Sequence, residues 1–450
     1  MVSLQYLRVL WLEDGGCILF NSFDKRISGI EPASTGRLAE DLIAGKTARA
    51  ASGQEEALAV IHSIAGHTAP FPYSHPNVSA KRFGKVIILC PSGRCSMACR
   101  YCSGNARNDT GRLMDWPLAR AALDFFFAHT NETGPYTLQF HGAGEPMMNP
   151  GIVKKAIEYA GNITSQRGQV LYTRISTNGF YSEDTARWMA DTFSHISLSL
   201  DGPPEIHNLQ RIAENGDGTY ETVIRSLRIF EEKGVLKRIN AVITEQGIND
   251  MEKIIRHIRS VSGIKQLRLL PMEYCGRCET TDMDPLNFNL FTRNLEKLLP
   301  EAASLGLELL SPLEYVDSYL EYYCHACGGT MCVAPHGRIS TCIEVMDESS
   351  GADELLIGAY QDNQIVIDWD RVMSLRKRNY RSIESCKECT FRNNCSGNCL
   401  VRAARKNGTV MSADRDSCER TKRLLSKRYT DMANMSGLLP FISPWNKEHE

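Results

Sequence analysis

The chain has 450 residues, of which 42% are hydrophobic and 23% charged, and its formal net charge is −2. This size predicts one large core with one or two smaller domains, and the near-neutral charge argues against a nucleic-acid partner. No apolar stretch approaches the roughly 18 residues of a membrane-spanning helix, and the N-terminus lacks a signal-peptide core. We therefore expect a cytoplasmic protein with no membrane partner.

Sixteen cysteines are the most informative feature of the composition. Cytoplasmic thiols are kept reduced, so clustered cysteines indicate metal ligands rather than disulfides. Soft thiolates select zinc, copper(I) or iron–sulfur clusters. The spacing of the cysteines along the chain decides between these metals.

Residues 1–70 predict a small α+β unit at the start of the chain. Apolar runs flank Glu13-Asp14-Gly15-Gly16, which indicates a β-hairpin, and two helical patterns follow. A proline-containing linker over residues 71–84 ends the unit. The predicted strands cover residues 7–12 and 17–20, and the helices cover residues 35–44 and 55–64.

Residues 85–312 alternate short β-branched runs with amphipathic helical patterns. Such alternation predicts parallel βαβ units and hence an α/β fold, a partial (β/α)6 barrel whose site lies at the C-terminal ends of its strands. The predicted strands cover residues 85–90, 136–140, 171–176, 195–200, 238–244 and 266–270, and the helices cover residues 117–130, 151–163, 183–192, 219–233 and 249–261.

After residue 312 the helical periodicity stops and cysteines become frequent. We expect residues 313–430 to form a cysteine-rich domain that depends on metal rather than on a core of its own, because so small a segment buries little apolar surface. Residues 431–450 are expected to be a C-terminal tail.

The first cysteine motif follows the first barrel strand and has the spacing Cys95-x3-Cys99-x2-Cys102. Three thiolates can bind three irons of a [4Fe–4S] cube and leave the fourth iron open. That iron could chelate the amino and carboxylate groups of S-adenosylmethionine (SAM), whose S–C5′ bond is then cleaved by an electron from the cluster. A structural zinc site would want a fourth ligand, for which Cys90 is the nearest candidate.

With the aromatic Tyr101 before its third cysteine, this loop resembles the signature of the radical SAM superfamily. The motif His141-Gly142-Ala143-Gly144-Glu145-Pro146 resembles the Gly-Gly-Glu-Pro element of that family, with Ala143 in place of a glycine. The ends of the third and fourth strands add small polar residues. The resemblance implies SAM contacts from Tyr101, Gly144, Glu145, Ser176, Asn178, Ser199 and Arg211.

The second cysteine motif is the string Cys386-x2-Cys389-x5-Cys395-x3-Cys399 followed by Cys418. With Cys327, Gly337 and Cys342 upstream, it resembles the SPASM domain of radical SAM enzymes that modify peptides and proteins. The resemblance implies two auxiliary [4Fe–4S] clusters, three clusters in all, and a zinc ribbon is the alternative for the string alone. One auxiliary cluster would be held by Cys327, Cys332, Cys342 and Cys399, and the other by Cys386, Cys389, Cys395 and Cys418.

Five further cysteines have no clear assignment. Cys275 and Cys278 follow the sixth predicted strand, near where a substrate would enter, and free thiols in a loop are the simpler interpretation. Cys324 could displace Cys332 as a ligand. Cys17 and Cys90 are expected to be packing residues in strands.

The C-terminal segment is strongly basic, with sixteen lysines and arginines against five acidic residues over residues 371–428. These cations could form a solvated face or bind an acidic peptide segment. They could also compensate the negative charge of thiolate-ligated clusters and raise their reduction potential.

For function, the sequence predicts a maturase of ribosomally made precursor peptides (a RiPP maturase) that forms a thioether or carbon–carbon crosslink. The N-terminal unit resembles a peptide-recognition element, which would bind a leader peptide by β-augmentation, although a generic cap is equally compatible. Auxiliary clusters suit a reaction that ends oxidised. An electron donor such as flavodoxin or ferredoxin is expected.

Two alternatives remain open. One is a protein-directed maturase, of a sulfatase or of a quinone-cofactor subunit. The sulfatase branch leads one to expect an Asp directly after Cys342, but this chain has Ile343 and then Glu344. The other is a zinc-binding scaffold with no catalytic activity.

Overall fold

The computed structural model describes residues 4, 6–22, 26–46, 53–65, 80–104, 106, 111–130, 134–142, 144–310 and 321–434. Most of the predicted linker, Ala143 and residues 435–450 lie outside this set. The chain divides into two compact units, one formed by residues 1–74, 313–324 and 378–450 and the other by residues 75–312 and 325–377. Among the helices of the described residues, none is both long and apolar enough to cross a bilayer.

The first unit contains the predicted hairpin and its two helices. Strands β1 (Leu7–Trp11) and β2 (Cys17–Asn21) pair antiparallel, and helices α1 (Ala33–Ile43) and α2 (Glu55–Ala65) cover one face. Successive side chains of a strand point to opposite faces of the sheet, so every second residue of β1 and β2 is directed towards these helices. That core consists of Leu7, Val9, Cys17, Leu19, Leu38, Ala39, Ile61 and Ile64.

The opposite face of the hairpin packs on the C-terminal part of the same unit, which the sequence did not predict. Phe20 stacks on Tyr429 with ring centroids 4.2 Å apart, and Phe391 lies 6.0 Å from both rings. Leu10, Ile18 and Leu425 complete this second core. The hairpin therefore stabilises the segment that carries the last five cysteines.

The second unit is built on a parallel sheet. All six predicted strands are present and adjacent in chain order, followed by a seventh of only three residues, and the α/β fold class is confirmed. These strands are β3 (Val86–Leu89), β4 (Tyr136–Phe140), β5 (Leu171–Thr177), β6 (His195–Ser199), β7 (Leu236–Ile243), β8 (Gln266–Pro271) and β9 (Glu308–Leu310).

Helices connect the parallel strands, and capping residues mark where several begin. Asp115 accepts from the backbone of Leu118 at 3.0 Å, and Ser182 accepts from Thr185 at 3.3 Å. Two of these helices, the sixth and ninth, were absent from the sequence prediction. The set comprises α3 (Trp116–Ala128), α4 (Pro150–Gln166), α5 (Glu183–Thr192), α6 (Pro204–Gln210), α7 (Tyr220–Glu232), α8 (Met251–Val261) and α9 (Phe288–Ser304).

Four more strands extend the same sheet beyond β3. β10 (Met331–Val333) pairs parallel to β3, and β11 (Arg338–Ser340), β12 (Leu356–Gln361) and β13 (Gln364–Ile367) continue antiparallel. The first strands of the predicted cysteine-rich domain are therefore part of the sheet of the barrel domain.

The expectation that helices end after residue 312 was wrong. α10 (Trp369–Arg376) closes the second unit. The first unit contains α11 (Arg392–Cys395), α12 (Leu400–Asn407) and the twenty-residue α13 (Arg415–Asn434).

Candidate functional site

The loop with the first cysteine motif leaves β3 and is held by backbone hydrogen bonds to the segment after α6. Ala98 N donates to Ile212 O at 2.8 Å, and Arg100 N donates to Gln210 O at 2.9 Å. The position of the loop is therefore fixed by β3, which it follows, and by the end of α6 with the residues after it.

A second support comes from the segment after β8. Arg277 N donates to Cys102 O at 2.9 Å, and its Nη1 donates to Cys99 O at 2.9 Å. Gly276 lies so close that an added Cβ would be 2.5 Å from Ser103 O. The sequence analysis singled out the cysteines on either side, whereas the contacts to the loop come from the Gly-Arg pair between them. Cys278 is buried and donates its thiol to Cys275 O at 3.1 Å.

The three thiols of the motif lie near one another. Burial raises the pKa of Cys99 to about 12; Arg211 opposes that rise, whereas Cys95 and Cys102 add to it. Burial likewise raises the pKa of Cys95 to about 11, with Glu145 and Cys102 adding to it. With pKa values this high, Cys95 and Cys99 would become thiolates at neutral pH only on binding a metal centre.

Glu145 lies at the end of β4, almost completely buried, and accepts three hydrogen bonds. Thr177 Oγ1 and Asn178 N each donate to its carboxylate at 2.8 Å, and Met147 N donates at 3.3 Å. Burial raises its pKa to about 7 in spite of these donors. Gly144 before it allows the chain to pass Arg94, whose carbonyl would lie 2.2 Å from an added Cβ.

Asn178 connects this carboxylate to the cysteine loop. Its Nδ2 lies 3.5 Å from Cys95 Sγ and 3.3 Å from Ser96 Oγ. Ser176 and Ser199 lie half-buried near the ends of β5 and β6. The structure thus brings the polar residues predicted from strands two, three and four to the same edge of the sheet as the cysteines.

Asp201 is the centre of a buried hydrogen-bond network beneath the loop. It is 0% exposed and accepts from Tyr101 Oη at 2.7 Å, from Gln210 Nε2 at 2.7 Å and from Val242 N at 2.9 Å. It was not among the site residues predicted from the sequence. Tyr101, which was predicted to contact SAM, directs its hydroxyl to this carboxylate.

Arg211 completes the network. Its Nε donates to Asp201 at 2.9 Å, its guanidinium carbon lies 5.4 Å from the centre of the Tyr101 ring, and its Nη1 lies 3.9 Å from Cys99 Sγ. Burial would lower its pKa, but the facing Asp201, Tyr101 and Cys99 raise it. A permanent positive charge therefore lies against the cysteine loop.

Four of the C-terminal cysteines also lie near one another within the first unit. Burial raises the pKa of Cys395 to about 12, with further increases from Cys418, Cys386 and Cys389. Burial, Cys386 and Cys389 raise the pKa of Cys418 to about 11. This is the same set of four that the sequence analysis assigned to one auxiliary cluster.

The turn between Cys395 and Cys399 has three consecutive residues in the left-handed region. Ser396, Gly397 and Asn398 have φ of 48°, 88° and 54°. Two of them are not glycine, so the turn is strained and must be held by other contacts. Asn398 supplies some of them, because its Nδ2 donates to Asp414 O at 3.0 Å and lies 3.3 Å from Cys418 Sγ.

The remaining predicted ligands surround β10 and β11. Cys332 lies on β10 opposite Ser340, whose hydroxyl donates to Cys342 O at 2.8 Å. Cys327 precedes β10 and is buried. Cys324 and Cys399 belong to the other compact unit. Shared ligation by Cys399 therefore stays a prediction.

Ligand chemistry and charge together test whether clusters fit here. In the described residues no three His, Cys, Asp or Glu side chains converge as ligands of one metal ion. The thiolates of a cube each bind a different iron, so they are farther apart than the ligands of a single ion. Two groups of neighbouring thiols, each close to a buried arginine, fit anionic thiolate-ligated clusters.

Comparison with known proteins agrees with this geometry. Residues 89–258 match the model of the Radical SAM superfamily. A cysteine-type anaerobic sulfatase-maturating enzyme of Clostridium perfringens is 24% identical over 334 residues, 70% of this chain and 88% of its own length. The radical SAM cyclopropyl synthase TigE of Paramaledivibacter caminithermalis is 20% identical over 374 residues, 76% of this chain and 73% of its own length.

Solved structures share the fold. A structure of anSMEcpe with bound AdoMet has a TM-score of 0.60 at 19% identity, and the match covers 78% of this chain and 99% of that chain. One of Streptococcus suis SuiB bound to the precursor peptide SuiA has a TM-score of 0.53 at 15% identity, covering 93% of this chain and 99% of that one.

This chain therefore has the radical SAM domain of a class of enzymes over residues 89–258, and its cysteine-rich C-terminal region fits a SPASM domain, as the sequence predicted. Enzymes of this class use SAM and a [4Fe–4S] cluster. This chain is thus similar both to a sulfatase-maturating enzyme and, in fold, to SuiB, whose structure was solved with a precursor peptide bound.

Proposed function

We propose that this enzyme matures a ribosomally made precursor peptide by abstracting a hydrogen atom and forming a thioether or carbon–carbon crosslink. The observation that carries the proposal is the extent of the shared fold: SuiB covers 93% of this chain, whereas anSMEcpe covers 78%. The wider match to SuiB supports the proposal that this enzyme modifies a precursor peptide and that its N-terminal unit takes part in that function.

Cys95, Cys99 and Cys102 would hold the radical-generating cluster in this proposal. With SAM bound, the cluster supplies the electron that releases the 5′-deoxyadenosyl radical. The Glu145 carboxylate would accept a hydrogen bond from the methionyl amino group of SAM, and Arg211 would pair with its carboxylate. Ser176, Asn178 and Ser199 would line the part of the pocket that binds the nucleoside of SAM. Tyr101 would orient Asp201 through its hydroxyl and Arg211 through its ring.

We further propose two auxiliary [4Fe–4S] clusters, with the ligand sets given by the SPASM resemblance. The mutual proximity of Cys386, Cys389, Cys395 and Cys418 supports the second set. An auxiliary cluster would take up the electron left when a substrate radical closes to a crosslink. A flavodoxin or ferredoxin would supply the electron for SAM cleavage.

The residue after Cys342 bears on the substrate class. Ile343 packs against Ile88, Cys90 and Cys332, and the neighbouring Glu344 is exposed. An aliphatic side chain cannot act as the proton acceptor that the sulfatase-maturase pattern places at this position, and a crosslinking reaction would release its proton to another group. This feature favours a crosslinking peptide maturase over a sulfatase maturase of the usual pattern.

A sulfatase maturase is the second candidate, because the sulfatase-maturating enzyme of Clostridium perfringens aligns over 88% of its length. Anaerobic reaction with SAM and a reductant, followed by mass spectrometry, separates the two. Formation of a crosslink would lower the mass of a precursor peptide by two hydrogens. Formylglycine formation in a sulfatase peptide, with no change in the precursor peptide, would overturn the first proposal.

Metal content tests the cofactor set and the zinc alternative. Anaerobically purified protein should contain about twelve irons per chain with matching sulfide. Replacing Cys95, Cys99 and Cys102 by Ala should remove about four of them and stop 5′-deoxyadenosine formation. Zinc without sulfide would instead identify a scaffold.

A leader-recognition role for the N-terminal unit needs point substitutions rather than deletion. Removing residues 1–70 would also remove Phe20 and Leu10, which pack on Phe391 and Tyr429 beside the C-terminal cysteines. Loss of activity in such a truncation would not separate leader binding from cluster loss. The separating measurement is binding of a labelled leader peptide to full-length protein whose iron content is unchanged.

A further inference from the structure

Arg378 is a fully buried arginine in the first unit, with a relative exposure of 0%. Its hydrogen bonds go to backbone carbonyls: Nε to Val410 O, and Nη2 to Gly397 O at 2.7 Å and to Ser412 O at 3.0 Å. Its Nη1 is buried and has no hydrogen-bond partner in the described part of the chain. Burying an arginine without a facing anion is costly, so its charge needs an explanation.

The position of the guanidinium supplies one. It lies against Gly397, where an added Cβ would be 3.4 Å from Nη1 and 3.5 Å from Nη2. Gly397 is the middle of the strained turn between Cys395 and Cys399. The carbonyls of Val410 and Ser412 belong to the segment that leads to α13 and Cys418. One side chain therefore ties together the two segments that carry Cys395 and Cys418.

The contacts around these cysteines agree. Gly397 also lies against Ile383, whose Cδ1 would be 2.3 Å from an added Cβ, and Ile383 packs with Cys386. Asp414, the acidic side chain buried beside this group, binds Ser417 and lies 3.5 Å from Lys406 and 4.0 Å from Arg420. Among the described residues, Arg378 makes no ion pair with a carboxylate.

We propose that Arg378 is a positioning residue for the auxiliary cluster held by Cys386, Cys389, Cys395 and Cys418, and that its buried charge raises the reduction potential of that cluster. A cube with four thiolates is anionic, and more so when reduced, so a nearby cation favours the reduced form. The inference rests on the auxiliary cluster proposed above. Arg378, one of the cations of the basic segment, would then help to set the reduction potential of this cluster.

The test uses full-length, reconstituted protein with three variants. Arg378→Gln removes the charge, and Arg378→Lys keeps it but loses the planar set of donors. Arg415→Gln is the control. Arg415 lies three residues before Cys418, but its side chain is 90% exposed, so the variant removes a charge in contact with solvent. The measurements are an EPR-monitored redox titration and the rate of iron loss to a chelator.

We expect Arg378→Gln to shift one auxiliary signal to more negative potential and to lose about four irons roughly 10-fold faster than wild type. Arg415→Gln should match wild type in both. Arg378→Lys should keep the potential while losing iron faster. If Arg378→Gln cannot be purified folded, Arg378→Lys provides the test. Because this variant keeps the charge, a shift of its auxiliary signal to a more negative potential than wild type would contradict the charge role.

The cofactor assignment and this inference fail separately. A variant with Ala at all four cysteines should contain about four irons fewer than wild type. Equal iron in the two would refute the auxiliary cluster itself. A four-iron difference, together with an Arg378→Gln protein that behaves like Arg415→Gln, would refute the role of Arg378 alone.

Discussion

Arg211 Nη1 lies 3.9 Å from Cys99 Sγ, while Nε of the same guanidinium bonds Asp201 at 2.9 Å. One buried cation therefore faces both a predicted cluster ligand and the central carboxylate of the network below it. Because Tyr101 and Gln210 also donate to Asp201, these residues should respond as a group to the loss of any one member.

Arg211→Gln should strongly destabilise the protein. It leaves Asp201, which is 0% exposed, without its ion-pair partner, and breaking such a buried pair costs about 3–5 kcal/mol. Arg211→Lys should recover part of the loss. The measurement is anaerobic urea denaturation, with Arg187→Gln as the control because that arginine pairs with Glu183 on the surface. Equal midpoints for Arg211→Gln and the control would contradict the network.

Gly276→Ala should displace the cysteine loop. Gly276 has φ of 71° and an added Cβ would meet Ser103 O at 2.5 Å and Cys102 O at 2.6 Å. Gly216→Ala is a matched control, because Gly216 has φ of 87° with nothing within 4 Å of the added Cβ. Both variants carry the left-handed penalty of roughly 1–2 kcal/mol.

The readout is the EPR signal of the reduced radical SAM cluster together with iron content. We expect Gly276→Ala to lose this signal while Gly216→Ala retains it. If both retained it at equal intensity, the contact between the Gly276 segment and the loop would have no effect on the cluster.

The pH dependence of SAM binding should follow Glu145. Its pKa is raised from 4.5 to about 7, so the carboxylate ionises only near neutral pH, and a hydrogen bond donated by the amino group of SAM favours the ionised form. SAM affinity measured anaerobically should therefore increase from about pH 6 to about pH 7.5. Glu145→Gln should bind more weakly and show no increase, and an unchanged pH profile in this variant would count against the assignment.

The same shift predicts the pH dependence of stability without SAM. Between pH 4.5 and about 7 the folded protein keeps a proton on Glu145 that the unfolded chain has released. Stability contributed by this site therefore decreases as pH rises through that interval. Glu145→Gln should flatten the dependence of the unfolding midpoint on pH relative to wild type.

Phe20→Ala should destabilise the C-terminal cysteine segment. Phe20 is 0% exposed and stacks on Tyr429, and removing a buried phenylalanine costs about 3–5 kcal/mol. We expect faster iron loss from the C-terminal site with an unchanged radical SAM signal, while Phe20→Leu should have a smaller effect. Equal iron loss in wild type and Phe20→Ala would show that the hairpin does not support this site.

The sequence predicted the elements whose pattern is local. Five βα repeats have strong periodicity, and the helix over Glu183–Thr192 was predicted with the observed bounds. β9 was missed because three residues carry too little pattern. α13 was missed because its composition is so polar that few of its twenty residues are buried.

The same distinction between local pattern and long-range contact applies to the candidate site. The cysteine motifs are local in sequence and could be found there. Asp201 could not, because Tyr101 is 100 positions away and Val242 is 41 positions away. Arg378 had no motif, and its burial against Gly397 comes from a turn whose left-handed residues only the folded chain shows.

The pairing of β10 with β3 has a consequence for how this protein can be divided. Met331, Cys332 and Val333 cover the edge of the strand that precedes the cysteine loop. A chain ending near residue 312 would leave the apolar Val86–Leu89 edge open to strands of other molecules. The catalytic barrel is thus not an excisable module, and a shortened enzyme should aggregate rather than persist as a minimal catalyst.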